Sequence, residues 1–267
     1  MNKAGGLGMR LHQAASFSPP LMRVSRGEAV FWPGCALMGL GPELLERVRA
    51  VLEREEPMGL STCCCGQPSR WLFPGAFPRR QEKLRRLLAK RGIKRVYTAC
   101  PNCAVQLRAL GTVEVRPIWP VLAARLRRED LAGEGGGAYV IHDPCPLRAF
   151  PEEREAVRSL LALAGAEVTE PEHAGAHTIC CGNYHMMRAL DPSRSAAMRR
   201  RRTAEFPAGT PVVSCCEGCL DAFRSEGLAG AHVLEVLFGP ADSRGWGKRL
   251  RFTAGAGRSV PGRRGRP

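Results

Sequence analysis

Ile93-Lys94-Arg95-Val96-Tyr97-Thr98-Ala99-Cys100-Pro101-Asn102-Cys103 decides how this chain is read, and Pro211-Val212-Val213-Ser214-Cys215-Cys216-Glu217-Gly218-Cys219 repeats it. In each stretch a short run with β-branched residues, read as a strand over 93–98 and 211–214, delivers a cysteine at its carboxyl end and passes directly into a helix. Pro101 suits a first helical position, where a missing N–H is no loss. The two sulfurs of each Cys-x-x-Cys, three residues apart at a helix start, project from one face of the first turn and can share a metal centre. The helix N-terminus favours the thiolate over the thiol, through its dipole and its unpaired N–H groups.

The duplication extends outward from these two stretches. Gly34-Cys35 and Cys64-Cys65-Gly66 precede Cys100 and Cys103; Pro144-Cys145 and Cys180-Cys181-Gly182 precede Cys216 and Cys219. Four of the five positions repeat at one offset of 116 residues, as 180−64 and 219−103 both give, whereas 145−35 is 110. Of the 12 cysteines only Cys63 and Cys215 lie outside the pattern. Each stands directly before a motif cysteine, and both are read as bystanders. A duplicated ligand set implies two pseudo-symmetric halves with a shared interface.

Adjacent side chains such as Cys64 and Cys65 diverge unless the backbone turns sharply, and Gly66 and Gly182 permit that turn. Five cysteines per copy exceed the four of a structural zinc site, whereas a multi-iron cluster can use all five. Thiolates bind zinc as well as iron–sulfur clusters, so zinc in one of the sites stays open.

Read along the chain, strands and helices alternate. Strands are placed at 28–32, 93–98, 113–118, 138–142, 166–169 and 211–214; helices at 42–56, 77–91, 121–128, 152–164 and 193–205, with another behind Cys216. Leu44, Leu45, Val48, Val51 and Leu52 form the apolar stripe of the helix at 42–56. This is an α/β fold with its ligands at the carboxyl edge of a sheet. The division read from it is a lead-in at 1–27, a first domain at 28–131, a linker at 132–137, a second domain at 138–239 and a basic, disordered tail at 240–267. The glycines at 132–137 precede a strand without a phosphate-binding pattern, so no nucleotide site is proposed there.

The 267 residues carry a net charge of +15. Much of the excess sits in 241–267, where eight Lys or Arg face one acid, Asp242, and where no apolar face exists to bury. The tail is read as a solvated terminus, with nucleic acid, anionic lipid or an acidic subunit as the functional alternatives. No stretch approaches the about 18 apolar residues of a membrane span, and 1–20 lacks a signal-peptide core. A chain of this length with cofactor-like cysteine spacing is expected in a reducing cytoplasm, with its cysteines as metal-bound thiolates.

Both repeats resemble the cysteine-rich CCG domain found in the B subunit of heterodisulfide reductase and, in related forms, in iron–sulfur subunits of glycolate and lactate oxidising systems. Gly34-Cys35, Cys64-Cys65-Gly66, Ala99 to Cys103, His142-Asp143-Pro144-Cys145, Cys180-Cys181-Gly182 and Cys215 to Cys219 carry the resemblance. It implies that Cys35, Cys64, Cys65, Cys100 and Cys103 bind one non-cubane 4Fe–4S cluster and Cys145, Cys180, Cys181, Cys216 and Cys219 another. At such clusters a disulfide can be cleaved in one-electron steps. The shorter first spacer departs from the second. No ferredoxin-type C-x-x-C-x-x-C run is present, so electrons would come from a separate ferredoxin-like or flavoprotein subunit.

The function expected from this is an iron–sulfur oxidoreductase subunit of heterodisulfide reductase B type, passing electrons to a disulfide or quinone-like acceptor. The alternatives are a pure electron-transfer subunit of a flavin-dependent glycolate or lactate dehydrogenase, and a zinc-stabilised protein whose basic tail contacts nucleic acid. Outside the cysteines, His142 and His185 are read as satisfied turn histidines, with cluster tuning or proton delivery as the functional reading. Asn183 and Tyr184 could donate to cluster sulfur or merely cap a helix. Trp32, Trp71 and Trp119 read as core or loop anchors.

Overall fold

The computed structural model describes residues 3–132 and 136–241. Its strands are β1 (Ala29–Trp32), β2 (Met58–Leu60), β3 (Arg95–Thr98), β4 (Glu114–Pro117), β5 (Gly137–Ile141), β6 (Ala166–Thr169), β7 (Val212–Ser214) and β8 (Gly230–His232). They form two four-stranded sheets ordered β2-β1-β3-β4 and β6-β5-β7-β8, with every pairing parallel. The chain thus builds the same α/β unit twice. Most of the tail, 242–267, and three linker residues, 133–135, lie outside the described residues.

Parallel pairing requires crossover connections, and helices supply them. These are α1 (Lys3–Ser16), α2 (Pro42–Leu52), α3 (Gln67–Leu72), α4 (Phe77–Arg91), α5 (Pro101–Arg108), α6 (Ile118–Arg125), α7 (Pro151–Leu163), α8 (Met187–Leu190), α9 (Pro192–Thr203), α10 (Glu217–Arg224) and α11 (Val233–Phe238). Proline opens several of them, and the Asp191 side chain caps α9 by accepting from Arg194 N at 3.0 Å. At α6 the sequence suggests a strand reaching residue 118 and a helix from 121, yet the helix begins at Ile118. Pro120 lies in its first turn, where the backbone N–H has no helical acceptor in any case. None of these helices is long and apolar enough to cross a membrane.

The stripe on α2 does not face its own sheet alone. Leu44, Leu45, Val48, Val51 and Leu52 join Ile118, Trp119 and Leu122 of α6, Val157, Leu160 and Leu161 of α7, and Val233, Leu234, Leu237 and Phe238 of α11 in one buried cluster. α2 packs on α6 and α11, and α7 packs on the same two helices. Since α2 and α7 are equivalent in the two repeats, as are α6 and α11, the contacts obey a pseudo-two-fold axis. Polar ties cross the layer: Arg47 Nη1 donates to Phe238 O at 2.7 Å, and Arg108 Nη2 pairs with the buried Glu153 at 3.2 Å. Two smaller clusters, one in each half, include or pack against every motif cysteine except Cys145.

Each buried leucine of the shared layer contributes about 1.5–3 kcal/mol by burial alone, and a cavity adds to the cost of removing one. Leu160→Ala is therefore expected to cost about 2–5 kcal/mol, read as a lower denaturant midpoint than wild type. Leu190→Ala, at an exposed position, should stay within about 0.5 kcal/mol. Equal midpoints for the two variants would contradict the assignment of the layer as the common core.

Candidate metal centres

In a sheet ordered β2-β1-β3, three neighbouring parallel strands end at one edge. Cys35 follows β1, the pair Cys64-Cys65 follows β2, and Cys100 follows β3 as the N-cap of α5, with Cys103 in that helix's first turn. The second sheet repeats this: Cys145 follows β5, Cys180-Cys181 follows β6, and Cys216 caps α10 in front of Cys219. The fourth strand of each sheet delivers no cysteine. Convergence is thus a product of strand order, and it explains why ligands far apart in sequence meet.

Within each set the thiols touch in the same sequence. Side-chain hydrogen bonds link Cys35 to Cys64, Cys64 to Cys65, Cys65 to Cys103 and Cys103 to Cys100. Their counterparts link Cys145 to Cys180, Cys180 to Cys181, Cys181 to Cys219 and Cys219 to Cys216. A backbone bond repeats too: Gly66 N donates to Cys64 Sγ at 3.4 Å and Gly182 N to Cys180 Sγ at 3.3 Å. Close approach at Gly34 is obligatory, because a Cβ there would lie 2.8 Å from the Cβ of Cys100.

So many thiols in so little water cannot all ionise without a compensating cation. One thiol of each vicinal pair is favoured as the thiolate. The contact with Cys35 holds Cys64 well below the usual thiol range, and the contact with Cys145 brings Cys180 down to about 2. Their neighbours are driven the other way. Cys181 is raised by Cys180, and Cys65 is raised because Cys64 and burial outweigh the help of Cys103. Soft, closely spaced sulfur donors with N–H groups already aimed at two of them fit a polythiolate metal centre.

The two sets face each other across one cavity of about 650 Å³. All five cysteines of the first set line it, with Cys145, Cys181, Cys216 and Cys219 of the second. Cys63 and Cys215 do not. Cys63 is buried with its Sγ 3.6 Å from Arg23 O, and Cys215 belongs to the shared core, where burial pushes its thiol well up. Both behave as core residues.

Several residues outside the cysteines take unexpected places. His142, read as an ordinary turn histidine, is 1% exposed and its ring accepts at Nδ1 from Arg202 Nε at 3.0 Å. Burial, reinforced by Arg202, lowers its pKa to about 3 and keeps the ring neutral. A ring nitrogen of His142 and the sulfurs of Cys181 and Cys219 lie within 4.8 Å of one another. Asn183 Nδ2 donates to Gly218 O at 3.2 Å, inside the second Cys-x-x-Cys. Tyr184 and His185 line the cavity, and His185 stacks on Trp71 with ring centroids 3.9 Å apart. His185 and Met186 both hold positive φ, at 57° and 61°, a strained conformation for side-chain-bearing residues.

The lead-in contributes to the first site. α1 buries Gln13, whose Nε2 lies 3.6 Å from Cys64 Sγ while its Oε1 accepts from Ser69 Oγ at 2.8 Å. His12 lines the cavity, where a protonated ring would favour the Cys64 thiolate. Three glycines within Lys3–Ser16 weaken any helical pattern there, so nothing in the local sequence announces these residues.

The six-residue difference between the first spacers is also located. β2 ends at Leu60 and the vicinal pair follows at Cys64, whereas β6 ends at Thr169 and its pair comes only at Cys180. The longer loop folds back on the second site's supports. Gly175 N donates to Asp143 Oδ2 at 2.8 Å, Thr178 Oγ1 to Asp143 O at 2.8 Å, and Arg202 Nη1 to His173 O at 2.7 Å.

The glycine after each vicinal pair gives a differential test. Gly182 has φ +85°, and a Cβ there would lie 2.3 Å from the backbone oxygen of Ser195. At Gly66, with φ +89°, the nearest atom at 2.4 Å is the side-chain Nε2 of Gln81, which can move. Both alanine variants carry the about 1–2 kcal/mol left-handed penalty, and Gly182→Ala should lose more stability than Gly66→Ala in matched thermal unfolding scans. The reverse order would refute this account of the turns.

A family model described as the cysteine-rich domain CCG matches residues 29–108 and 139–224, one match in each half. No curated protein matches the chain. Among solved structures it is similar to the aspartate racemase of Picrophilus torridus, at 10% identity and TM-score 0.36 over 85% of this chain and 99% of that one. It is also similar to an aspartate racemase homologue of Pyrococcus horikoshii OT3, at 11% identity and TM-score 0.28 over the same shares. Likeness at that level carries no argument about chemistry. The family match, by contrast, spans most of the chain and coincides with both sets of converging cysteines, so the chain belongs to the cysteine-rich CCG domain family.

Proposed function

We propose that this chain is an iron–sulfur oxidoreductase subunit of the heterodisulfide reductase B type. Cys35, Cys64, Cys65, Cys100 and Cys103 would hold one 4Fe–4S cluster of the non-cubane kind, and Cys145, Cys180, Cys181, Cys216 and Cys219 the other. The observation that carries the reading is the shared cavity: two equivalent sets of thiols open onto one space of about 650 Å³. When bound, such clusters supply one-electron transfers at or beside that space.

Reduction of a disulfide takes two electrons and two protons, breaks the S–S bond and releases two thiols. The chain's own residues would bind the acceptor between the two sets and keep bulk water from the thiolates. Tyr184 and His185 border that space and are placed to contact a guest. Electrons would come from a separate ferredoxin-like or flavoprotein partner, and a reducing cytoplasm is the setting that keeps the thiols available. A relay subunit for a flavin-dependent 2-hydroxy-acid dehydrogenase would hold the same two centres but bind no acceptor between them.

Anaerobic purification followed by iron, sulfide and zinc analysis tests the cofactor. About eight iron with matching sulfide per chain is expected for two clusters. Replacing Cys216 and Cys219 together by alanine should remove about half of that iron. Stoichiometric zinc without iron, after anaerobic reconstitution, would sink the proposal. Electron flow only from a 2-hydroxy-acid dehydrogenase, with no disulfide reduced by the loaded chain under any donor, would select the relay.

A further inference from the structure

The second site holds a buried imidazole that neither the cysteine pattern nor the disulfide chemistry uses. His142 follows β5 and is enclosed by elements of its own half. Its backbone N donates to Val213 O at 2.9 Å, its carbonyl accepts from Ser214 Oγ at 2.8 Å, and its ring meets Phe223 edge-on with centroids 4.9 Å apart. The charged neighbours are Arg202, Asp143 and the Cys180 thiolate, and Asp143 is bound bidentately by Arg158 at 3.0 and 2.8 Å. Beside its ring stand the sulfurs of Cys181 and Cys219.

A histidine grouped with two cysteines is ordinarily read as a nitrogen ligand. The hydrogen bond that its ring accepts from Arg202 argues otherwise. An arginine guanidinium has only donors, so the 3.0 Å contact from Arg202 Nε requires Nδ1 to be the acceptor. In the neutral imidazole the proton then sits on Nε2, which has no partner among the described residues. A protonated nitrogen cannot coordinate a metal, but it donates to sulfur. Arg202 is itself held in place, being fully buried, with its Nη1 on His173 O at 2.7 Å and Glu205 Oε2 at 2.8 Å and its guanidinium over the Phe206 ring at 5.0 Å.

The first half offers a parallel. Trp32 stands three residues before Cys35 as His142 stands three before Cys145; it is fully buried, and its Nε1 likewise has no partner among the described residues. Indole, too, is a donor only. Trp32 shares an apolar cluster with Cys64, Cys65 and Cys103.

We propose that His142 is a hydrogen-bond donor from Nε2 to the sulfur side of the second centre, with Arg202 as the positioning residue that fixes its tautomer. This rests on the cluster reading above. A donor of this kind stabilises the more negative, reduced state and raises that centre's reduction potential.

The test uses the full chain loaded with iron and sulfide, its histidines labelled with 15N, and pulsed electron paramagnetic resonance of its paramagnetic states. A weak nitrogen coupling and an exchangeable-proton coupling are expected, both lost in His142→Phe, which keeps the aromatic packing. His142→Phe should also lower the midpoint potential of one centre and leave the other unmoved. His142→Gln, which returns an N–H near the Nε2 position, should restore the wild-type midpoint. A large coupling typical of a directly bound nitrogen would overturn the donor role, and so would full iron content with no histidine coupling. If His142→Phe fails to hold iron, the labelled wild type and His142→Gln still decide. Wild-type protein without iron would overturn the cluster reading and this inference together.

Discussion

Negative charge cannot be crowded into a dry space without compensation, and ten converging thiols place that constraint on the whole chain. Much around them answers it. Two Cys-x-x-Cys pairs sit where helix N-termini present unpaired N–H groups, and backbone amides of Gly66 and Gly182 donate to one thiol of each vicinal pair. The turns that make those donations require glycine. Around the second site arginines hold carbonyls and carboxylates: the exposed Arg148 donates to Thr178 O at 2.9 and 2.6 Å, the half-buried Arg158 pairs with Asp143, and the fully buried Arg202 pairs with Glu205. Part of the chain's positive charge is therefore internal scaffolding, a use that total charge alone does not reveal.

Repeats were the legible part of the sequence. A strand running into Cys-x-x-Cys at a helix start is a local pattern, so β3 with α5 and β7 with α10 follow from it directly, as does the pairing of halves. Elements without a pattern of their own were not legible. β2 is Met-Gly-Leu and β8 is Gly-Ala-His, too short for alternation to register, and α11 is apolar on nearly every side because it is enclosed. Their existence depends on parallel neighbours and on the helix layer, which are tertiary facts.

The site divides along the same line. Sequence spacing brought the ten cysteines forward as one class, and the structure brings them to two sheet edges facing one cavity. Spacing gave no hint of Gln13, delivered by a glycine-containing helix that lies before the first family match. His142 was visible as a residue type but not as a tautomer, since that property is dictated by Arg202, sixty positions away. The shorter first spacer, visible as a number, acquires meaning only when the extra loop is seen bracing Asp143 and Arg202.

The helix layer between the halves has the contact pattern of a symmetric homodimer: α2 meets α11, and their equivalents α7 and α6 meet in turn. In a true homodimer any change appears twice, and the assembly falls apart on dilution. Joining the two copies in one chain removes both restrictions. The partner surface is always present at a fixed local concentration, and each copy is free to vary alone. Trp32 opposite His142, and a tight loop opposite a long one, are differences that only a covalently joined pair can inherit.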